Sequence, residues 1–245
     1  MSNQTRSNLK YSNLVSNSKK SLTEISGRYI EDQGKEKFIF QDIKNKLKFK
    51  KKDLILDIGC GYGKLVELII KDSKKTKFSL FLCDIKMIIK KLQKKYKADN
   101  LKFIAKNFEK YNFKNLKFDK IIIYSVIQYA DNPKNFLKKA YTLLNKNGKI
   151  LLGDLPNIDK KFRFLNSKFG KQFEKKRKIK RFDLELLTKN YKSFLKNTKQ
   201  NTSINDKFIS WSKYYFKKKR AKVTILKQLK KLPYSFTRED VLIKK

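Results

Sequence analysis

Apolar residues fall in short blocks separated by lysine-rich polar stretches, and the blocks follow two different spacings. Phe38, Ile39, Ile43 and Leu47 recur at helical spacing and predict an amphipathic helix over 34–47. DLILDIG (53–59) reads as a short buried strand, and residues 64–72 as a helix that opens directly after a glycine loop. SLFLCDI (79–85) is a second strand, KMIIKKLQKKYK (86–97) an amphipathic helix, and LKFIAKN (101–107) a third strand. FDKIIIYSVI (118–127) is apolar on both faces, as a central parallel strand should be. PKNFLKKAYTLL (133–144) predicts a helix with Pro133 near its start, where a missing N–H costs little. NKNGKILLGDL (145–155) is a turn into a fifth strand. Strands alternating with helices predict an α/β domain with a mostly parallel sheet covered on both faces.

The last third has a different texture. Residues 156–202 are polar and basic with scattered aromatics, among them Phe162, Phe164, Phe169, Phe173, Phe182, Tyr191 and Phe194. A stretch of that length exceeds an ordinary crossover and predicts a basic insert or lid. A helix over about 205–219 follows, with Phe208, Ile209, Trp211, Tyr215 and Phe216 on its apolar side. AKVTILKQ (221–228) and TREDVLIKK (237–245) then read as an antiparallel hairpin closing one edge of the sheet, for about seven strands in all. Residues 1–34, rich in Ser, Asn and Lys toward the start, predict a flexible arm, leaving 35–245 as a single domain.

Composition narrows the chemistry. The chain has 245 residues and no histidine, which excludes a His general base, a Ser-His-Asp triad and a His-ligated metal. Two cysteines, Cys60 and Cys83, are too few for a disulfide framework or a four-cysteine zinc site, and both sit among apolar neighbours. No metal site is expected. The longest apolar runs fall far short of the ~18 residues of a membrane span. The polar beginning of the chain lacks the apolar core of a secretory signal, so a cytoplasmic location is expected.

Lys and Arg number 63 against 22 Asp and Glu, a formal net charge of +41. Only seven of the 63 are Arg, and Asn and Ile abound while Pro (3) and Gly (8) are scarce. That is the profile of AT-rich codons, whereas phosphate recognition favours the bidentate fork of Arg. A basic protein of this charge still attracts anionic polymers nonspecifically at low salt.

The informative stretch is LILDIGCGYGKL (54–65): a strand ending in Asp57, then Gly59, Gly61 and Gly63, then a helix. Glycines let the backbone turn sharply and approach a ligand, and the helix start offers free N–H groups. Asp84 follows 21 residues after Gly63, at the end of the second strand, where a carboxylate accepts both hydroxyls of a ribose. The spacing admits a dinucleotide or S-adenosylmethionine. The loop reads G-x-G-x-G preceded by Asp, with Lys64 and Leu65 where a dinucleotide fingerprint carries its third glycine.

Here the chain resembles the class I S-adenosylmethionine-dependent methyltransferases. Asp57 to Gly63 is similar to their first motif and Asp84 to their ribose-binding acid. FIAKNFEKYNF (103–113) resembles their third-strand motif, with Asn107 where those enzymes usually carry Asp. Residues 118–154 resemble their fourth strand, helix and fifth strand, so the likeness covers about 35–154, and the terminal hairpin fits their antiparallel last strand. It implies a Rossmann-like doubly wound sheet, S-adenosylmethionine as cofactor and S-adenosylhomocysteine as product. It implies cofactor contacts from Asp57, Gly59, Cys60, Gly61, Gly63, Asp84, Ile85, Asn107, Phe108 and Tyr124. GDLPN (153–157), FRFLNSKFG (162–170) and LPYSFTREDVLIKK (232–245) resemble a bacterial subgroup found in surface-polysaccharide and small-metabolite biosynthesis.

The acceptor should lie at the carboxyl ends of the fourth and fifth strands. That makes Asp154, Tyr124 and Tyr129 the candidates for catalysis, Asp154 foremost as a base, and Ser125, Gln128 and Asn157 the candidates for substrate binding. The expected substrate is a small molecule, a sugar or sugar nucleotide. An RNA- or protein-directed methyltransferase is the alternative, favoured by the charge and the basic 156–202 segment. Against it, Tyr124-Ser125-Val126-Ile127 is not the Asn/Asp-Pro-Pro-aromatic tetrad of base-flipping amine methylases. A non-catalytic cofactor-binding protein is the third reading, which the intact glycine loop and Asp84 disfavour.

Overall fold

The computed structural model describes residues 33–176, 189–198, 201–232 and 234–245. The arm expected over 1–34 falls almost wholly outside these residues, as does the middle of the expected insert.

Seven strands form one sheet: β1 Leu54–Ile58, β2 Ser79–Asp84, β3 Leu101–Ala105, β4 Phe118–Tyr124, β5 Leu144–Leu155, β6 Lys222–Lys227 and β7 Glu239–Lys244. Their order is β3-β2-β1-β4-β5-β7-β6. β1 to β5 run parallel, and β7 inserts antiparallel between β5 and β6. This is the doubly wound, Rossmann-like sheet with an antiparallel terminal hairpin. Strand order reverses beside β1, so the crevice at the carboxyl ends of β1 and β4 is where such sheets bind ligands.

Side chains alternate across the strands, so each face has its own core. On one face Ile55, Leu80, Leu82, Ile122 and Leu151 pack against α1 Glu36–Leu47, α2 Lys64–Thr76 and α3 Lys86–Lys95. On the other, Leu56, Ile121, Ile123, Leu152 and Val241 meet α4 Pro133–Thr142 and, later in the chain, the helix Asp206–Lys218. β4 is buried along nearly its whole length, which explains its unbroken apolar run. Asn132 caps α4 by accepting from the Asn135 N–H, with Pro133 in the first turn.

β4 ends at Tyr124, three residues earlier than its apolar run suggests. Ser125 takes φ 57° and a 3-10 turn, Ile127–Tyr129, follows. The segment after β5 contains helices α5 Ile158–Asn166, α6 Lys168–Lys176 and α7 Tyr191–Asn197, and the chain continues into α8 Asp206–Lys218. Phe194 and Leu165 anchor a small separate core there with Ile158. No helix among the described residues is long and apolar enough to cross a membrane.

Candidate functional site

β1 ends in Asp57 and Ile58, and the chain then turns through two glycines in the left-handed region, Gly59 at φ 68° and Gly61 at φ 66°. A Cβ at Gly59 would stand 2.5 Å from a methyl of Val126, so both conformation and space demand glycine there. The Gly59 N–H donates to the Cys83 carbonyl (2.8 Å), tying the loop to β2. Gly63 is the extended residue that caps α2. As the start of α2, it opens a turn whose first N–H groups have no partner within the helix.

Asp84, last in β2, reaches across to this loop. Its Oδ2 accepts from the Gly61 N–H (2.8 Å) and its Oδ1 from the Ile85 N–H (2.7 Å). A carboxylate has about four acceptor positions, so two remain for a ligand. Asp57 is buried beneath the loop, and burial, reinforced by Asp84, pushes its carboxyl up to about 8. Burial likewise pushes Asp84 up to about 6, against the two backbone hydrogen bonds that favour its charge. Two enclosed carboxyls that repel each other welcome a cation between them. The same enclosure and the same acids push the Cys60 thiol well above its usual range and Cys83 up to about 12, which leaves both thiols unreactive.

At the end of β3, Asn107 Oδ1 accepts from the Glu109 N–H (2.7 Å) and shapes the turn. The Phe108 ring is buried in the core, 4.6 Å from Phe136 and 5.6 Å from Phe113.

At the ends of β4 and β5 the structure brings Tyr124, Ser125 and Asp154 together. The Tyr124 ring lies over Gly153, where a Cβ would come within 2.4 Å of it. The Ser125 hydroxyl donates to Asp154 Oδ2. Gln128 Nε2 donates to the Ser125 carbonyl (2.9 Å), and Tyr129 is half exposed at the rim. Asn157 stands apart from this group. It is buried as the cap of α5, accepting from the N–H groups of Asp159 and Lys160 and donating to Asp206 (2.7 Å) and Glu239 (2.8 Å).

Sequence reasoning misses the layer beneath Asp154. Arg238 donates to the Asp154 carbonyl (2.9 Å) and reaches Oδ2 at 3.4 Å. Gln228 bridges Asp154 Oδ1 (3.4 Å) and the fully buried Asp240 (3.0 Å). Asp240 also accepts from the Asp154 N–H (2.8 Å) and pairs with Lys46 (2.6 Å). These partners lie 74 to 86 residues along the chain from Asp154, and no local pattern marks them. Among the described residues no group of three or more His, Cys, Asp or Glu side chains could hold a metal.

A family profile described as "Methyltransferase domain" matches residues 49–218. Malonyl-[acyl-carrier protein] O-methyltransferase 1 of Ilyobacter polytropus is 31% identical over 108 residues, 44% of this chain and 40% of that protein. An uncharacterized protein of Methanocaldococcus jannaschii is 32% identical over 95 residues, 39% of this chain and 42% of that protein. The chain thus matches about two fifths of the length of these curated relatives. Among solved structures, the plantazolicin methyltransferase BpumL, in complex with a triazolic desmethylPZN analog and SAH, superimposes with a TM-score of 0.61. That superposition covers 99% of this chain and 96% of BpumL at 17% identity, a likeness of fold.

Proposed function

The chain belongs to the methyltransferase-domain family as a class I S-adenosylmethionine-dependent methyltransferase, and from that premise we propose that it methylates an oxygen of a small hydroxylated molecule, of the sugar class, at the carboxyl ends of β4 and β5. The observation that carries this reading is the Ser125–Asp154 pair, a hydroxyl bonded to a carboxylate at the strand ends beside the glycine loop. A hydroxyl acceptor needs a base, and with no histidine in the chain a carboxylate is the natural one. O-methylation in the Ilyobacter relative's name and the resemblance of the 153–170 and 232–245 segments to small-metabolite enzymes support it.

The donor set fits the cofactor. The loop 59–63 would hold its methionyl part through backbone N–H groups, with Asp57 beneath the amino group. Asp84 would accept from the ribose hydroxyls with its remaining lone pairs, and Ile85 would flank them. Asn107 and the Phe108 backbone would border the adenine, and Cys60 and Tyr124 would pack along its length. When bound, the group supplies an electrophilic methyl on a sulfonium, so the protein's task is chiefly positioning.

The chain's residues then divide the work. Tyr124 over Gly153 sets a rigid wall. Ser125 receives the acceptor's proton as its own passes to Asp154 Oδ2, and Arg238 and Gln228 hold that carboxylate in one orientation. Gln128 and Tyr129 shape the acceptor's side of the pocket. The described helices that follow β5, starting with α5 capped by the buried Asn157, would border it as part of the basic insert of a single domain spanning 35–245.

The test is transfer of labelled methyl from the cofactor to a panel of small hydroxylated acceptors and to RNA. Incorporation into sugars or sugar nucleotides supports the reading. Incorporation confined to RNA, with binding that survives physiological salt, overturns it in favour of an RNA-directed enzyme.

A further inference from the structure

Away from the crevice, four lysines stand in one row across four adjacent strands. Lys120 of β4 pairs in register with Lys149 of β5, Lys149 with Lys244 of β7, and Lys244 with Lys222 of β6. Like charges directly opposite one another on a sheet are destabilising. A lysine-rich composition supplies many lysines but gives no reason to align them strand by strand.

The row does not lie on a flat surface. Lys120, Lys149 and Lys244 share a pocket of about 260 Å³ with Lys48, Lys50 and Asn147. The five lysines come from the residues after α1 and from three strands. Lys120 is only 7% exposed and stands 3.7 Å from Asp53, too far for a tight pair. Burial, then the charges of Lys120, Lys48, Lys244 and Lys50, hold Lys149 below the usual lysine range. This repulsion is standing cost in the free protein, and it is relieved when negative charge enters.

The position excludes overlap with the crevice. Lys120 and Lys149 lie four residues before the paired Tyr124 and Gly153, about 13 Å at ~3.3 Å per residue, toward the opposite end of the sheet.

We propose that this lysine-lined pocket is a binding site for a compact polyphosphate anion, a group carrying two or more linked phosphates. Five ammonium groups against one nearby carboxylate match several negative charges rather than one. Lysine lacks the fixed fork by which Arg grips a single phosphate, but it binds phosphate as a mobile point charge, and several together suit oxygens that converge from several directions. Lys120 is buried and Lys149 half-buried at the floor of the hollow, with Lys48, Lys50 and Lys244 exposed at its rim, a shape that suits a compact ligand, since a polymer backbone is served by a stripe on an open surface.

The experiment is calorimetric titration of the full chain with inorganic triphosphate at physiological salt. Saturable one-site binding is expected. Lys149→Gln/Lys244→Gln should weaken it at least tenfold, with no loss of melting temperature, because the change removes repulsion. Lys48→Gln/Lys50→Gln, outside the sheet, should weaken it in the same direction and serves if the strand variant folds poorly. Lys90→Gln/Lys94→Gln, two charges removed from the exposed side of α3, should leave it unchanged. S-adenosylhomocysteine affinity should be equal in all four proteins. Equal loss in the α3 control shows attraction by net charge alone and overturns the proposal. So does wild-type affinity in the pocket variants, or RNA binding that triphosphate does not displace.

Discussion

Ser125 and Asp154 hold each other across the carboxyl ends of β4 and β5 while both occupy the left-handed backbone region, at φ 57° and 56°. Such conformations in non-glycine residues cost on the order of 1–3 kcal/mol each and persist only where the surroundings fix them. The fixing is visible. The Ser125 N–H donates to the Gly153 carbonyl, and the Asp154 N–H donates to Asp240. The outcome is a hydroxyl and a carboxylate aimed at one place by two strands. Asp154→Asn should lower kcat by about 10²–10⁴, the usual worth of a general base. S-adenosylhomocysteine affinity should stay near wild type, measured by calorimetry beside steady-state kinetics.

Asp84 holds the glycine loop through the Gly61 N–H, and in the proposed site it would also meet the ribose. Asp84→Ala should weaken cofactor binding by tenfold or more, since hydrogen bonds to a charged group are worth about 1.5–3 kcal/mol. It should also loosen the Gly61 backbone, which loses its acceptor. Faster amide exchange at residues 59–63, with the rest of the chain protected as before, is the expected signature.

The buried acids give stability a definite slope with pH. Asp57 titrates near 8 and Asp84 near 6 in the folded protein, against about 4 when unfolded. The folded state therefore binds more protons than the unfolded state between these limits, and stability from this pair falls as pH rises from about 4 through 8. Asp57→Asn should flatten that fall in a melting series. Cofactor binding should release protons, seen as a dependence of binding enthalpy on buffer ionisation.

Gly59 is constrained twice over, by its left-handed backbone and by Val126. Gly59→Ala should destabilise the protein by about 1–3 kcal/mol, the usual cost of overpacking. Adding Val126→Ala should recover the steric part and leave the backbone part, which a thermal double-mutant cycle resolves.

Asn157→Ala should cost about 1–2 kcal/mol, as loss of a cap does, and remove one donor each from Asp206, which keeps Arg163, and from Glu239, which keeps Lys160 nearby. Circular dichroism melting measures it, with KM for the acceptor as the companion readout.

The strands, the glycine loop and the terminal hairpin were legible because each is a local pattern: a two-residue or 3.6-residue period, a run of glycines, an apolar block between lysines. The family resemblance rested on the same local runs. The end of β4 was not legible, because Val126 and Ile127 are as apolar as the strand before them, and only the Ser125 turn separates the two. Asn157 reads as a strand-end polar residue, and its task depends on Asp206 and Glu239, which lie 49 and 82 residues away. Arg238, Gln228 and Asp240 carry no signal at all until β7 lies beside β5.

That placement bears on how the chain is made. β6 leaves the ribosome before β7, yet β7 is its sheet partner and separates it from β5. Residues 222–227 therefore wait, an unpaired edge, until 239–244 have emerged from the exit tunnel. Asp240, which braces Asp154, arrives with β7. The glycine loop has its Asp84 acceptor as soon as β2 is in place, whereas Asp154 gains its brace only with β7, so a chain halted before residue 239 would hold the loop while Asp154 stands unbraced.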